Sequence, residues 1–193
     1  MKFAHTISSA NRFQLMLFVF VLLAASANLF GVSASEQDQT RLRATQLIKE
    51  ARAILEKTPP LTDEEAQQCL AKLEEALQLW QSLGDGWMAA ETLLDTGRLH
   101  VRKFDFTKAM EFFEQSLPLF PPTNEGNASK ATALNNIANI HQRLGETQNA
   151  LQVYQQSLAL KKPGKSRAIT VDNIGGVYHR LGEYQLALDY HQQ

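Results

Sequence analysis

Apolar residues recur at three- and four-residue steps along most of the chain after Glu36. This spacing places them on one face of a helix, because an α-helix completes a turn every 3.6 residues. The first such segment runs from Glu36 to Lys57, where Pro59 and Pro60 predict its end, since proline donates no amide hydrogen bond. Its predicted buried face consists of Leu42, Leu47, Ile48, Ala51, Ile54 and Leu55.

A second helix is predicted from Thr62 to about Leu83. Thr62 followed three residues later by Glu65 is typical of a capping box, in which each side chain bonds the other residue's backbone amide. The predicted inward residues are Cys69, Leu70, Leu73, Ala76, Leu77 and Trp80. We interpret residues 35–88 as an N-terminal helical hairpin that diverges from the pattern of the units after it.

Three helical pairs follow, over about 90–122, 131–164 and 168–193, and the last is truncated within its second helix. Residues 131–156 and 168–193 agree at 12 of 26 positions when aligned without gaps, which gives a period of 37 residues. Self-similarity at such a period predicts an array of repeated helical hairpins over residues 89–193.

The loops and turns between the helices can also be predicted from the sequence. The polar segment from Thr123 to Ser129 predicts a loop, and Pro163-Gly164 predicts a turn. Gly145 and Gly182 are expected to end the first helix of their units in a left-handed turn, which glycine enters without a steric cost. Phe104 stands at this place in the first unit, so its turn is expected to differ.

Small residues recur where the two helices of a unit are expected to cross. They are Gly97, Ala138 and Gly175 on the first helices and Ala109, Ala150 and Ala187 on the second. In the first helix a large apolar residue comes four positions before this small residue, and an aromatic residue or histidine three after. This pattern resembles the tetratricopeptide repeat, whose signature also has an aromatic residue in the second helix. The matching positions outside the crossing are Leu93, His100, Phe113, Leu134, His141, Tyr154, Val171, Tyr178 and His191.

The resemblance covers about residues 62–193 and implies an all-α fold, a right-handed superhelical solenoid of antiparallel helix pairs. It also implies that a protein or peptide partner binds the concave side, which the first helices line. Leu94 is expected to face this side as well. Asn136 and Asn173 recur there, either to bond the neighbouring unit or to contact a ligand. The candidate partner contacts are Arg98, Arg102, Asn135, Asn139, Gln142, Asp172 and His179.

Composition narrows the function classes. Apolar residues make up 44% of the chain and charged residues 20%, as in an ordinary globular protein. Without residues 1–34, which hold Lys2 and Arg12 and no acid, 17 basic residues face 20 acidic ones. This balance argues against a nucleic-acid partner. Cys69 is the one cysteine, so no intrachain disulfide forms, and we expect it to be a small buried residue.

Catalytic and metal-binding patterns are missing from the sequence. His100 and His141 occupy the position of Tyr178 in the third unit, which predicts packing rather than metal binding. The sequence holds no phosphate loop, nucleophile elbow or metal-spaced cluster. We therefore expect neither an enzyme nor a cofactor site in this chain.

Residues 1–34 are typical of a secretory signal peptide. Lys2 and Arg12 precede an unbroken apolar run from Leu15 to Ala25, and small residues before Ser35 predict cleavage there. The alternative is an uncleaved anchor, which would make this segment the chain's contact with the membrane. Either reading predicts export to the periplasm or the extracellular space.

Three short segments also resemble the exported repeat region that precedes CHAT domains, caspase-like cysteine peptidases of bacteria. These segments are Leu83-Gly84-Asp85, Leu134-Asn135-Asn136-Ile137 and Leu144-Gly145-Glu146. This resemblance implies a regulatory part of a larger protein, with the catalytic His and Cys beyond Gln193. The alternatives are the extracytoplasmic sensor domain of a transmembrane signalling protein such as a histidine kinase, or a stand-alone assembly factor. We expect the reading frame to continue, because the last helix stops about one turn short of its counterparts.

Overall fold

The computed structural model describes residues 33–57 and 61–192. Across these residues the backbone forms eight α-helices and one short 3-10 helix, and it contains no strand. The helices are α1 (Ala34–Leu55), α2 (Asp63–Ser82), α3 (Gly86–Arg102), α4 (Phe106–Ser116), α5 (Asn124–Arg143), α6 (Thr147–Ala159), α7 (Lys165–Arg180) and α8 (Tyr184–His191). The 3-10 helix, Leu117–Leu119, continues α4. The predicted signal peptide lies outside the described residues except for Ser33, which caps α1, and Ala34.

Consecutive helices pack as antiparallel hairpins, α1 with α2, α3 with α4, α5 with α6, and α7 with α8. Each hairpin also packs against the next, which gives the predicted all-α solenoid. The first helices α1 and α3 contact each other directly, and so do α3 and α5. Because the first helices approach one another, they form the inner side of the array. None of the helices in the described residues is long and apolar enough to cross a membrane.

The turns within the hairpins repeat one geometry. Gly145 and Gly182 have φ values of 78° and 79°, as predicted. In each turn the amide after the glycine donates to a carbonyl five residues earlier, as from Glu146 to His141 at 2.9 Å. The prediction that the first unit would differ is wrong. Phe104 adopts φ 58°, and the Asp105 amide donates to the His100 carbonyl at 3.0 Å, because the packed helices on both sides impose the same turn.

The close helix crossings are confirmed. A Cβ atom added to Gly97 would lie 2.4 Å from Cε1 of Phe113, and one added to Gly175 would lie 2.8 Å from the His191 ring. Ala109 is fully buried at the crossing of α3 and α4, and Ala150 is fully buried at the crossing of α5 and α6. Any larger residue would push the helices apart.

The start of α2 also follows the sequence prediction. Thr62 Oγ1 accepts a hydrogen bond of 3.1 Å from the Glu65 amide, while the Glu65 carboxylate accepts one of 3.0 Å from the Thr62 amide. Cys69 is fully buried, and its thiol donates to the Ala51 carbonyl at 3.5 Å. Burial raises the pKa of the Cys69 thiol to about 11, so the thiolate form is disfavoured and the residue serves packing.

Three local predictions are wrong. The segment from Thr123 to Ser129 is not a loop, because the Thr123 hydroxyl accepts from the Gly126 amide at 3.1 Å and caps a helix that begins at Asn124. Leu42 is 72% exposed, since it lies about 200° around α1 from the buried Ala44. Leu94 is buried rather than facing the groove, because it packs in one core cluster with residues of α5.

Candidate functional site

The inner groove is the surface that α1, α3, α5 and α7 present on the inner side of the array. All seven predicted contact residues lie on these first helices. Arg98 and Arg102 are on α3, three lie on α5, and two on α7. Arg98, Asp172 and His179 are exposed, and the other four are half-buried. The two residues on α3 lie beside a buried carboxylate and a cavity, whereas those on α5 and α7 contact neighbouring helices.

A buried carboxylate organises the α1–α3 end of the groove. Asp95 is fully buried, and its oxygens accept hydrogen bonds from Arg52 Nε at 2.6 Å and from Arg98 Nη1 at 3.2 Å. Arg52 also lies 3.4 Å from the Glu91 carboxylate. A buried carboxylate needs such charged donors, because burial without them costs several kcal/mol. Arg52 therefore holds α1 against α3, whereas the bond from Arg98 lies within α3.

Arg102, another predicted contact residue, is bonded within the chain. Its guanidinium donates to the carbonyls of Leu55 and of Lys57, the latter at 2.9 Å. The Leu55 carbonyl belongs to the last turn of α1, where the helix leaves acceptors without internal donors, and Lys57 follows just after that end. Arg102 thus caps α1 from the neighbouring hairpin.

A cavity of about 440 Å³ opens at this cluster. Its lining residues are Arg52, Leu55, Glu56, Asp95, Arg98, Val101, Arg102, Phe113 and Asn136. Within the described part of the chain, the buried Asn136 amide nitrogen has no hydrogen-bond partner, so it does not bond the neighbouring unit's backbone. The Arg98 side chain is half-exposed beside it. The cavity thus combines apolar walls with the half-exposed Arg98 guanidinium, which can donate to a carboxylate or carbonyl oxygen.

Sequence reasoning missed Arg52, because it lies in the divergent hairpin outside the repeat pattern. It also missed the pairing with Asp95, which is 43 residues away. One signal was present, a charged residue within the otherwise apolar and small run Leu93-Leu94-Asp95-Thr96-Gly97. An aspartate in such a run is expected to have a cationic partner.

The predicted contacts on α5 and α7 are bonded within the chain. Asn139 accepts from the hydroxyl of Tyr154, and Asn135 Oδ1 accepts from Thr170 Oγ1 at 3.0 Å. The other two pairs join Gln142 with Arg180, and Asp172 with His191 at 2.8 Å. His179 packs edge-on against the Tyr184 ring at 5.3 Å. These side chains fix one helix against another, so a partner meets an ordered polar surface here.

The histidines near the hairpin turns pack as predicted. The buried His100 stacks on Phe112 with ring centroids 5.3 Å apart, and burial lowers the pKa of His100. His141 Nδ1, on α5, lies 2.5 Å from the carboxylate of Glu146, which follows the turn between α5 and α6. Among residues 33–57 and 61–192, no group of three or more His, Cys, Asp or Glu could hold a metal ion.

Repeated antiparallel hairpins with small residues at each crossing define an α-solenoid, a class in which binding surfaces are built from successive helices. The chain matches the Tetratricopeptide repeat family over residues 62–121 and 129–193. It therefore belongs to the tetratricopeptide repeat family, whose domains generally bind protein partners. A search of the curated proteins found no match to the chain.

Proposed function

We propose that this protein is an exported scaffold that binds a protein partner along the inner groove. The observation that carries the proposal is the cavity between α1, α3 and α5, where Arg98 is half-exposed and the Asn136 amide is without a partner in the described residues. Arg98 offers hydrogen-bond donors at the surface of the cavity, and the buried Asn136 amide offers a further donor in its wall. Pre-organised donors cost little to order when a ligand binds, which favours recognition of an extended peptide at this place.

Arg98 can bind a partner without loss of the contact that joins α1 to α3. The hydrogen bond that Arg52 donates to Asp95 is 2.6 Å long, whereas the one that Arg98 donates is 3.2 Å long. Arg98 can therefore turn toward a partner while Arg52 keeps the buried carboxylate compensated. An acidic side chain, a terminal carboxylate or a backbone carbonyl of the partner would be the matching group.

Photo-crosslinking in the native host tests this proposal. A p-benzoylphenylalanine placed at Arg98 or Gln142 lies in the groove, whereas one at Gln67 or Gln152 lies on an exposed second-helix position. We expect a discrete crosslinked protein from the groove positions and none from the control positions. Crosslinks confined to the second-helix positions would overturn the assignment of the groove.

The export part of the proposal is supported by the sequence features of residues 1–34. Fusion of these residues to alkaline phosphatase, which is active only after export from the bacterial cytoplasm, gives a direct assay. We expect an active fusion and a mature amino terminus at Ser35. An inactive fusion would contradict export, and an active but unprocessed one would support the anchor.

For the larger context, we propose the amino-terminal part of a CHAT-domain protein, on the three segments that resemble such repeat regions. In that setting a partner in the groove would regulate a peptidase domain. The alternative is the extracytoplasmic sensor domain of a transmembrane signalling protein. Sequencing the reading frame beyond Gln193 separates them, because a caspase-like His and Cys supports the first and an apolar span of about 20 residues supports the second.

A further inference from the structure

A second recess lies away from the inner groove, at the edge where the hairpin turns are found. We call it the Phe104 notch. Its cavity of about 440 Å³ has an apolar floor and sides formed by Phe104, Phe106, Met110 and Leu144. Leu144, from the next hairpin's turn, is 50% exposed. The notch therefore joins two units and leaves large apolar groups in contact with solvent.

Phe104 itself is unusual in two independent ways. Its φ of 58° lies in the left-handed region, which glycine occupies in the equivalent hairpin turns at Gly145 and Gly182. A bulky residue is disfavoured there because its Cβ crowds the backbone. Its side chain is also 74% exposed and touches Phe106 only edge-on, with centroids 6.3 Å apart. The core does not need this ring, which points to a contact outside the chain.

The notch has a clear charge pattern. Its lining residues include three carboxylates, those of Asp105, Glu111 and Glu114, and no cation. Lys108 lies 3.8 Å from Asp105. Within the described residues, neither Glu111 nor Glu114 belongs to an ion pair, and both are exposed on α4. Two carboxylates thus remain available beside an apolar recess.

The neighbouring aromatic ring already binds a guanidinium. Arg143 lies 5.9 Å from the centroid of Phe106, within the distance at which a cation is attracted to a ring face. Phe104 extends the same aromatic surface into solvent. A ligand cation would therefore meet the exposed Phe104 ring and the carboxylates here.

We infer that the Phe104 notch binds a partner segment in which an aromatic or large aliphatic side chain is flanked by lysine or arginine. The apolar side chain would occupy the recess between Phe104, Met110 and Leu144. The flanking cations would pair with Glu111 and Glu114. This surface is separate from the inner groove, so the two can bind different segments, and each proposal can fail without the other.

Titration of the 15N-labelled protein with synthetic peptides tests the inference by NMR. The probe is Lys-Lys-Ala-Phe-Ala-Lys-Lys, and the controls replace its Phe by Ala or all its Lys by Glu. We expect saturable shifts of the amide signals around Phe104 and Leu144, with a Kd about fivefold or more below those of both controls. Equal binding of the three peptides, no saturable shift, or shifts confined to the groove would overturn the inference.

Variants separate binding from folding. Phe104→Gly places glycine at a left-handed position, so it should unfold at the same temperature as wild type or higher while weakening the probe about fivefold or more. Glu111→Gln should also weaken the probe, whereas Glu74→Gln on α2 and Arg98→Ala in the groove should not. A lower midpoint for Phe104→Gly would show that Phe104 is a packing residue, and an unchanged probe affinity would show that Phe104 does not bind the peptide.

Discussion

Gly97 and Phe113 lie in direct contact at the crossing of α3 and α4, where a Cβ on Gly97 would stand 2.4 Å from Phe113 Cε1. Real side chains do not approach so closely, so the ring or the helix would have to move. The contact explains why the smallest residue stands at this position. It also sets the spacing of the α3–α4 hairpin, whose Phe113 lines the cavity between α1, α3 and α5.

Gly97→Ala should lower the free energy of unfolding by about 1–3 kcal/mol through overpacking against Phe113. The matched control is Gly176→Ala in α7, where an added Cβ meets nothing within 4 Å. Since alanine favours a helix over glycine by about 1 kcal/mol, this control should be neutral or stabilising. Urea denaturation checks both. Equal stability of the two variants would contradict the crossing.

Ala150→Leu tests the equivalent crossing in the next hairpin, where α6 packs against α5. Ala150 is fully buried, so the larger side chain should cost about 1–3 kcal/mol and lower the thermal midpoint. Gln152→Leu, two residues away on the exposed side of α6, should leave the midpoint near that of wild type. Equal midpoints would mean that Ala150 does not stand at a crossing.

The helix crossings could be predicted because every unit requires small residues where its two helices approach closely, so glycine or alanine recurs at these positions. The turn at Phe104 could not, because the backbone bonds of the hairpin fix its geometry whatever residue is present. The groove residues were placed on the correct helices by periodicity. Their bonds, such as Asn139 with Tyr154, depend on how neighbouring helices are offset, which one sequence does not specify.

The Arg52–Asp95 ion pair should contribute more to the stability of the fold than the Arg43–Glu75 pair, whose arginine also lies on α1. Arg52→Gln removes the 2.6 Å bond to a fully buried carboxylate, and we expect a loss of about 1–3 kcal/mol. Arg43→Gln removes the contact to the exposed Glu75 and should change little, because exposed pairs are screened by solvent. Chemical denaturation of both variants gives the comparison. A larger loss for Arg43→Gln would contradict the role of Asp95.

Glu65 should give the protein a pH-dependent helix cap. Lys57, 2.5 Å away, and the Thr62 amide lower the pKa of Glu65 from its ordinary 4.5 to about 2. A lowered pKa stabilises the folded state above pH 4.5, and this contribution is lost as the pH falls toward 2. Glu65→Gln should therefore be less stable than wild type at pH 6 and nearly equal at pH 2. A constant difference across that range would contradict the linkage.

We propose that the inner groove binds a peptide segment of a partner through Arg98 and Asn136. The most direct measurement selects peptides from a displayed random library on the wild-type protein and then determines their Kd for variants. For Arg98→Ala combined with Asn136→Ala we predict a Kd raised about tenfold or more, which is about 1.4 kcal/mol, with Gln152→Ala unchanged. Selected peptides that bind the groove variant as tightly as wild type would contradict the account.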